Sequence, residues 1–308
     1  MAKTKESENK TELISSNLEI FYTNANGLVN KMDELKLILE TNPGKDVICV
    51  TETHLDKDIF DAEIHLDGYV MFRKDRDFKL DSSNQEISKG GGSVIYVKSS
   101  LDVSICNILQ NAPDSVAVNI CTSSGQICVA CVYRSSSLNL YQNNTLLSCL
   151  EKICHVDNEY ETLLIGDFNL PKVSWERGQI VAMTNSRDRD LSIIVQKMFL
   201  DLFIDKGMYW YFTDETTRQR LVKDTLQQSL LDQVLCTNDA LVNRCELVSP
   251  LGKSDHKCVH VQLAVSSGEN PQPRDTHLKP SWGKISFKEL VEFSRANINW
   301  NFQNDKNV

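Results

Sequence analysis

The chain has 308 residues, of which 41% are hydrophobic and 24% charged, and its 33 basic and 42 acidic residues leave a formal net charge of −9. That much apolar surface can offset chain entropy, which excludes disorder throughout, and no apolar run approaches the roughly 18 residues of a membrane-crossing helix. The acidic balance argues against non-specific, phosphate-driven nucleic-acid binding as the main activity, but it leaves open a nuclease, whose site needs carboxylates to hold a divalent cation.

Residues 1–16 read as a polar tail without the apolar segment of a secretory signal. Cysteines lie scattered within apolar runs, as at Cys49, Cys128, Cys131 and Cys236. The expectation is reduced core thiols in an intracellular, nuclear or cytoplasmic protein, with no membrane association. From Leu18 to Thr23 the pattern predicts a strand, and Lys31 to Glu40 a helix with Leu35, Ile38 and Leu39 on one face. Asp46 to Val50 is a buried-strand run ending at Glu52, and Tyr69 to Phe72 is strand-like. A polar loop over Lys74 to Ser88 follows, and Gly90-Gly91-Gly92 then makes a tight entry to a strand at Ser93 to Val97.

Ser115 to Ile120 and Gln126 to Val132 read as neighbouring strands around a turn, and Leu138 to Cys154 is helical in period. Cys128 and Cys131 have metal-like spacing, but on a strand positions i and i+3 face opposite ways, which disfavours zinc. Thr162 to Ile165 is a strand stopping at Asp167, Arg187 to Phe199 an amphipathic helix, and Leu230 to Cys236 and Val259 to Val265 late strands. Many strands with few long helices predict packed sheets covered by helices. The composition of Ser266 to Pro273 is that of a linker. The domain is therefore placed at residues 17–265, and residues 266–308 are a linker and short tail with one helical signal over Phe287 to Arg295.

Six of these apolar runs deliver a polar side chain at or near an end: Asn24 with Asn26, Glu52, Tyr133, Asp167 with Asn169, Asp232, and Asp255 with His256. Strand ends share a rim, where Asn, Glu, Asp and His supply hard oxygen ligands for Mg²⁺ and a group titrating near neutrality. Each has a plainer reading. Asp167 and Asn169 suit a turn after a strand, and Glu52 suits a helix start. Asp232 is the exception: set among leucines, it would be costly if buried and unpaired, and His256 is the partner that would resolve the cost.

In order and wording the strings Thr23-Asn24-Ala25-Asn26-Gly27-Leu28, Thr51-Glu52-Thr53-His54, Gly90-Gly91-Gly92-Ser93-Val94, Val132-Tyr133-Arg134, Gly166-Asp167-Phe168-Asn169, Leu231-Asp232-Gln233-Val234-Leu235 and Ser254-Asp255-His256 resemble the endonuclease/exonuclease/phosphatase superfamily. The chain is most similar to the endonuclease domain of non-LTR (LINE-like) retrotransposons. That resemblance implies an α/β fold of two packed, mainly antiparallel β-sheets flanked by helices, a four-layer sandwich. It implies a Mg²⁺-dependent (Mn²⁺ also accepted) DNA endonuclease acting by water attack on a phosphodiester. It implies metal ligands Glu52, Asn26 and Asp255, and catalytic Asp167, Asn169, Asp232, His256, Tyr133 and Asn24. Asp167 would orient or deprotonate the water, Asn24 and Asn169 hold the phosphate and the Asp167 carboxylate, Tyr133 support the phosphate, and His256 paired with Asp232 stabilise the transition state. Repair enzymes of the superfamily typically carry Asp where this chain has Asn26, which favours the retrotransposon branch.

The tail with Trp282, Phe287 and Trp300 resembles the connector toward a reverse transcriptase, but no Asp-Asp dipeptide occurs. No such domain is therefore expected in this chain, which reads as a stand-alone, truncated or host-captured endonuclease. The alternatives are a phosphatase or phospholipase of the same fold, and a captured domain without catalysis. Target preference would lie in loops such as Arg73 to Ser88 and Asp214 to Gln228.

Overall fold

Strands apolar at every position require cover on both faces, and this chain supplies it. The computed structural model describes residues 17–76, 90–123, 125–155, 159–181 and 191–265. In chain order the elements are β1 (Asn17–Asn24), α1 (Met32–Thr41), β2 (Val47–Thr51), β3 (Tyr69–Lys74), β4 (Ser93–Lys98), β5 (Asp102–Ile105), β6 (Val116–Thr122), β7 (Gly125–Tyr133), α2 (Leu140–Ile153), β8 (Tyr160–Asp167), β9 (Val173–Ser174), β10 (Gln179–Ile180), α3 (Leu191–Asp205), β11 (Tyr209–Trp210), β12 (Arg218–Val222), β13 (Thr225–Ser229), β14 (Asp232–Cys236), β15 (Val242–Val248) and β16 (Cys258–Ala264).

One six-stranded sheet has the order β15-β16-β1-β2-β4-β3 and the other β11-β14-β8-β7-β6-β5. Neighbours are antiparallel except β1 with β2 and β7 with β8. Alternation along each strand divides its side chains between two interiors. Ile20, Tyr22, Cys49 and Ile95 of the first sheet meet Val118, Val129, Leu163 and Val234 of the second in the inter-sheet core. Phe21, Ile48, Val50 and Tyr96 point the other way and pack under Met32 and Leu35 of α1. On the far side Ala130, Val132 and Leu164 pack under Leu146 and Leu150 of α2 and Phe199 and Phe203 of α3. The result is the expected four layers, and each fully buried aliphatic side chain contributes about 1.5–3 kcal/mol.

Cys128 and Cys131 do face opposite interiors, and all ten cysteines are free thiols. Differences from the sequence reading fall where burial is one-sided. The edge strands β5, largely exposed, and β15, mostly half-buried, are interrupted by polar residues, so their alternation is weak. The stretch over Asp214 to Gln228, expected as a loop, contains the β12/β13 hairpin, turned at Lys223 and Asp224 with φ of 46° and 63°. The helix expected from Arg187 begins at Leu191 among the described residues and continues to Asp205, because Phe199, Leu200 and Phe203 are all buried. Most of the loop over Lys74 to Ser88, both chain ends, and the tail's tryptophans and helical signal lie outside the described residues.

Candidate active site

The two parallel pairs decide where the polar strand ends collect. β1 and β2 run together and finish at Asn24 and Thr51, with Glu52 next in the chain, while β7 and β8 finish side by side at Tyr133 and Asp167. The antiparallel β14 and β16 begin at that same rim, so Asp232 lies directly opposite Asp167 and His256 enters just ahead of β16.

Both turns that leave the parallel pairs use one device. The Asn24 Oδ1 accepts the Asn26 N–H at 3.1 Å, and the Asp167 Oδ1 accepts the Asn169 N–H at 3.0 Å. Asn26 and Asn169 then take left-handed φ values of 43° and 50°, which asparagine tolerates better than most residues. The turn-forming reading of Asp167 and Asn169 is thus correct, and the turn is also what aims them. The Asn24 amide donates to Glu52 Oε1 at 2.9 Å and to Asp167 Oδ2 at 3.1 Å, tying carboxylates of the two sheets together.

Asp232 is fully buried and doubly satisfied. Its Oδ2 lies 2.7 Å from His256 Nδ1, the pairing expected from the cost of an isolated charge, and its Oδ1 accepts from the Tyr22 hydroxyl at 2.6 Å. Thr217 Oγ1 accepts the N–H groups of Leu231 and Asp232, and Ser254 Oγ accepts the His256 N–H and donates to the Asn24 carbonyl. Tyr22 escaped the sequence reading, since a tyrosine in an aliphatic strand reads as core. Its signal was the hydroxyl, which needs a partner when buried.

Electrostatically the rim crowds the carboxylates of Glu52, Asp167 and Asp232 around the imidazole of His256. Burial pushes the Asp167 carboxyl up to about 8, helped by Asp232 and Glu52 and opposed by His256. Burial acts the same way on Glu52, but hydrogen bonds from His54 and Asn24 and the charge of His256 bring it down to about 2. Burial works against charge on His256 too, yet Asp232 outweighs it and raises the imidazole to about 9. Burial, Glu52 and Asp167 hold the Tyr133 phenol well above its ordinary range.

Glu52, Asp167 and His256 present ligand atoms within 4.8 Å of one another. His256 has one nitrogen committed to Asp232 and holds its proton, so the donors that suit a metal are the two carboxylates. These hard oxygens, crowded against each other, fit a divalent cation such as Mg²⁺. Of the other expected ligands, Asn26 sits exposed on its turn, and the Asp255 carboxylate faces Arg218, with Nε 2.9 Å from Oδ2. Asn169 stands beside Asp167 on its turn, and its carbonyl accepts from the buried Arg134 at 2.9 Å. Arg134 also bonds Asn143 and packs on the Phe199 ring, and burial lowers its pKa to about 10.

A family model described as "Endonuclease-reverse transcriptase" matches residues 127–260. No curated protein matches the chain. Among solved structures, the endonuclease domain of TRAS1, a telomere-specific non-LTR retrotransposon, superposes with a TM-score of 0.56 at 15% identity, covering 80% of this chain and 98% of that one. The AP endonuclease LMAP from Leishmania major gives a TM-score of 0.58 at 14% identity, over 80% and 88% of the two chains. The 3′ phosphatase NExo from Neisseria, bound to a product DNA hairpin, gives 0.55 at 17%, over 79% and 98%. The two-sheet sandwich is therefore the endonuclease/exonuclease/phosphatase fold.

Proposed function

We propose that the chain is a divalent-metal-dependent phosphodiesterase that nicks DNA, an endonuclease of the retrotransposon type. The observation that carries this reading is the convergence of Glu52, Asp167 and His256 within 4.8 Å, with Asp232 behind the imidazole. Asp167, whose proton affinity is raised by burial, is suited in its ionised form to accept a proton from an attacking water. Asn24 and the Asn169 N–H fix the orientation of its carboxylate. His256, charged and held by Asp232, donates to a non-bridging phosphate oxygen as negative charge builds there, a contribution typically worth about 100- to 1,000-fold in rate. Asn169 and Tyr133 stand on the same rim to contact the phosphate. Glu52 is the proposed metal anchor, and Asn26 and Asp255 are proposed to help by turning toward it, from solvent and from Arg218 respectively. A bound Mg²⁺ would neutralise phosphate oxygens and ease departure of the 3′ alkoxide.

The retrotransposon assignment is supported by the matched family description and the likeness to the TRAS1 domain. A second reading, a phosphatase on the same site, draws on the likeness to a 3′ phosphatase. One experiment separates them. Supercoiled plasmid should be nicked in Mg²⁺ or Mn²⁺, not in EDTA, leaving 3′-hydroxyl ends that a polymerase extends. Phosphate release from 3′-phosphorylated DNA without nicking would select the phosphatase, and neither activity would identify a captured domain without catalysis.

A further inference from the structure

Directly beside the rim lies an ion pair, half-buried at Arg76 and buried at Asp114, that the reaction as outlined leaves unused. Arg76, just beyond β3, donates from Nε and Nη2 to Asp114 at 2.9 and 2.6 Å. Asp114 is 2% exposed and takes a left-handed φ of 49°. Its carboxylate also accepts the Gly92 N–H at 3.3 Å, and its carbonyl accepts from Ser93 Oγ at 2.6 Å. This one residue therefore connects the entry of β4, in the first sheet, to the corner leading into β6, in the second. The next residue, Ser115, accepts the Tyr133 N–H at 3.3 Å.

The Arg76 guanidinium occupies the space between this corner and Tyr133. Its carbon lies 5.7 Å from the centre of the Tyr133 ring. On its other side is Gly91, where an added Cβ would run into the Arg76 guanidinium. The glycine run thus has a second purpose beyond a tight strand entry: it makes room for a guanidinium beneath the backbone. A planar fork gripped at two points by a buried carboxylate has little freedom to move. Tyr133 lies opposite Asp167 across the β7/β8 pair, so whatever fixes its ring fixes a polar group at the reacting centre.

We propose that Arg76, anchored by Asp114, is a positioning residue that holds the Tyr133 hydroxyl toward a backbone phosphate of the DNA substrate. The proposal rests on the phosphodiesterase reading above and assigns to Arg76 an effect exerted through Tyr133. Lysine does not substitute, because an ammonium cannot make the two-point grip on Asp114 and cover the ring together.

The test is plasmid-nicking kinetics on the full chain in Mg²⁺. Arg76→Lys, Arg76→Ala and Tyr133→Phe should each lower kcat by up to about 100-fold, the scale of a misplaced contact, with smaller changes in KM. The double variant Arg76→Lys/Tyr133→Phe should be no slower than the worse single variant. Millimolar guanidinium should restore part of the Arg76→Ala rate and none of the Tyr133→Phe rate. Losses that multiply in the double variant, or no rescue of a folded Arg76→Ala protein, would overturn the proposal. If Arg76→Ala does not fold, the Arg76→Lys cycle decides alone. If wild-type protein nicks nothing, the phosphodiesterase reading fails, and the Tyr133 signal in protein labelled at tyrosine Cζ then serves as the readout. A shift of that signal in Arg76→Lys is expected, and an unmoved signal would overturn the positioning role.

Discussion

Tyr22 and Asp232, 210 positions apart in sequence, share a 2.6 Å hydrogen bond that crosses from one sheet to the other. Asp232 has no exposure to water, so each partner it loses leaves a charged oxygen unsatisfied. Tyr22→Phe should cost about 1–3 kcal/mol in urea unfolding and slow nicking by loosening the carboxylate behind His256. An unchanged unfolding midpoint would mean that the hydroxyl contributes nothing to holding Asp232.

His256→Ala is expected to slow nicking by about 100- to 1,000-fold while DNA affinity and the Mg²⁺ requirement stay nearly constant, because the contact strengthens in the transition state. Adding Asp232→Asn should bring little further loss, since the two side chains act as a unit. Binding isotherms alongside single-turnover rates check this. A large drop in DNA affinity would place His256 in ground-state binding instead.

Divalent metal should raise the thermal midpoint of the protein, because a ligand that binds only the folded state adds about 2.7 kcal/mol at a hundredfold excess over its dissociation constant. Glu52→Gln should abolish most of that shift and raise the Mg²⁺ needed for nicking. A midpoint that responds equally in both proteins would move the metal site elsewhere.

In EDTA, stability should fall as pH rises from about 6.5 to 9. His256 binds its proton more tightly when folded, near 9 against 6.5, so its contribution is complete below 6.5 and vanishes through 9. Asp167, raised from 3.8 to about 8, holds a proton in the folded state that the unfolded chain has released, so its contribution declines from about 3.8 to about 8 and overlaps the His256 decline above 6.5. Urea midpoints measured across this range should decline, and a flat or rising profile would contradict the crowded-charge description of the rim.

The domain placed at residues 17–265 should unfold in one cooperative step and retain nicking without residues 266–308, which contain none of the candidate residues. A folded but inactive fragment, seen by circular dichroism and plasmid nicking together, would put that boundary in the wrong place.

The sandwich was legible because strands covered on both faces, such as β2 and β7, are written as unbroken apolar runs, and their polar terminations stand out. Asp232 with His256 was legible for the same reason, as a charge with no other affordable place in a leucine run. Edge elements were not: β15 carries Asn243, Arg244 and Glu246 among its apolar residues, and β12/β13 is almost uncovered. Tyr22, Arg134 and Asp114 were missed because their roles depend on partners in other strands, which no local pattern encodes. The choice among oxygen ligands was hidden likewise, since Arg218, which engages Asp255, reaches the rim only through the hairpin.

The bonds Asn24–Asp167, Tyr22–Asp232 and His256–Asp232 all span the seam between two separately built layers. The spacing of the reacting groups is thus set by the thickness of the apolar filling beneath them. An extra methylene at Ile165 or Val259, both wholly enclosed in that filling, would pry the layers apart like a shim. Turnover would then drop although every rim side chain remained in place, and a compensating smaller residue across the seam would restore it. Adjusting the gap in this way offers a means of tuning rate from within the interior, remote from the DNA.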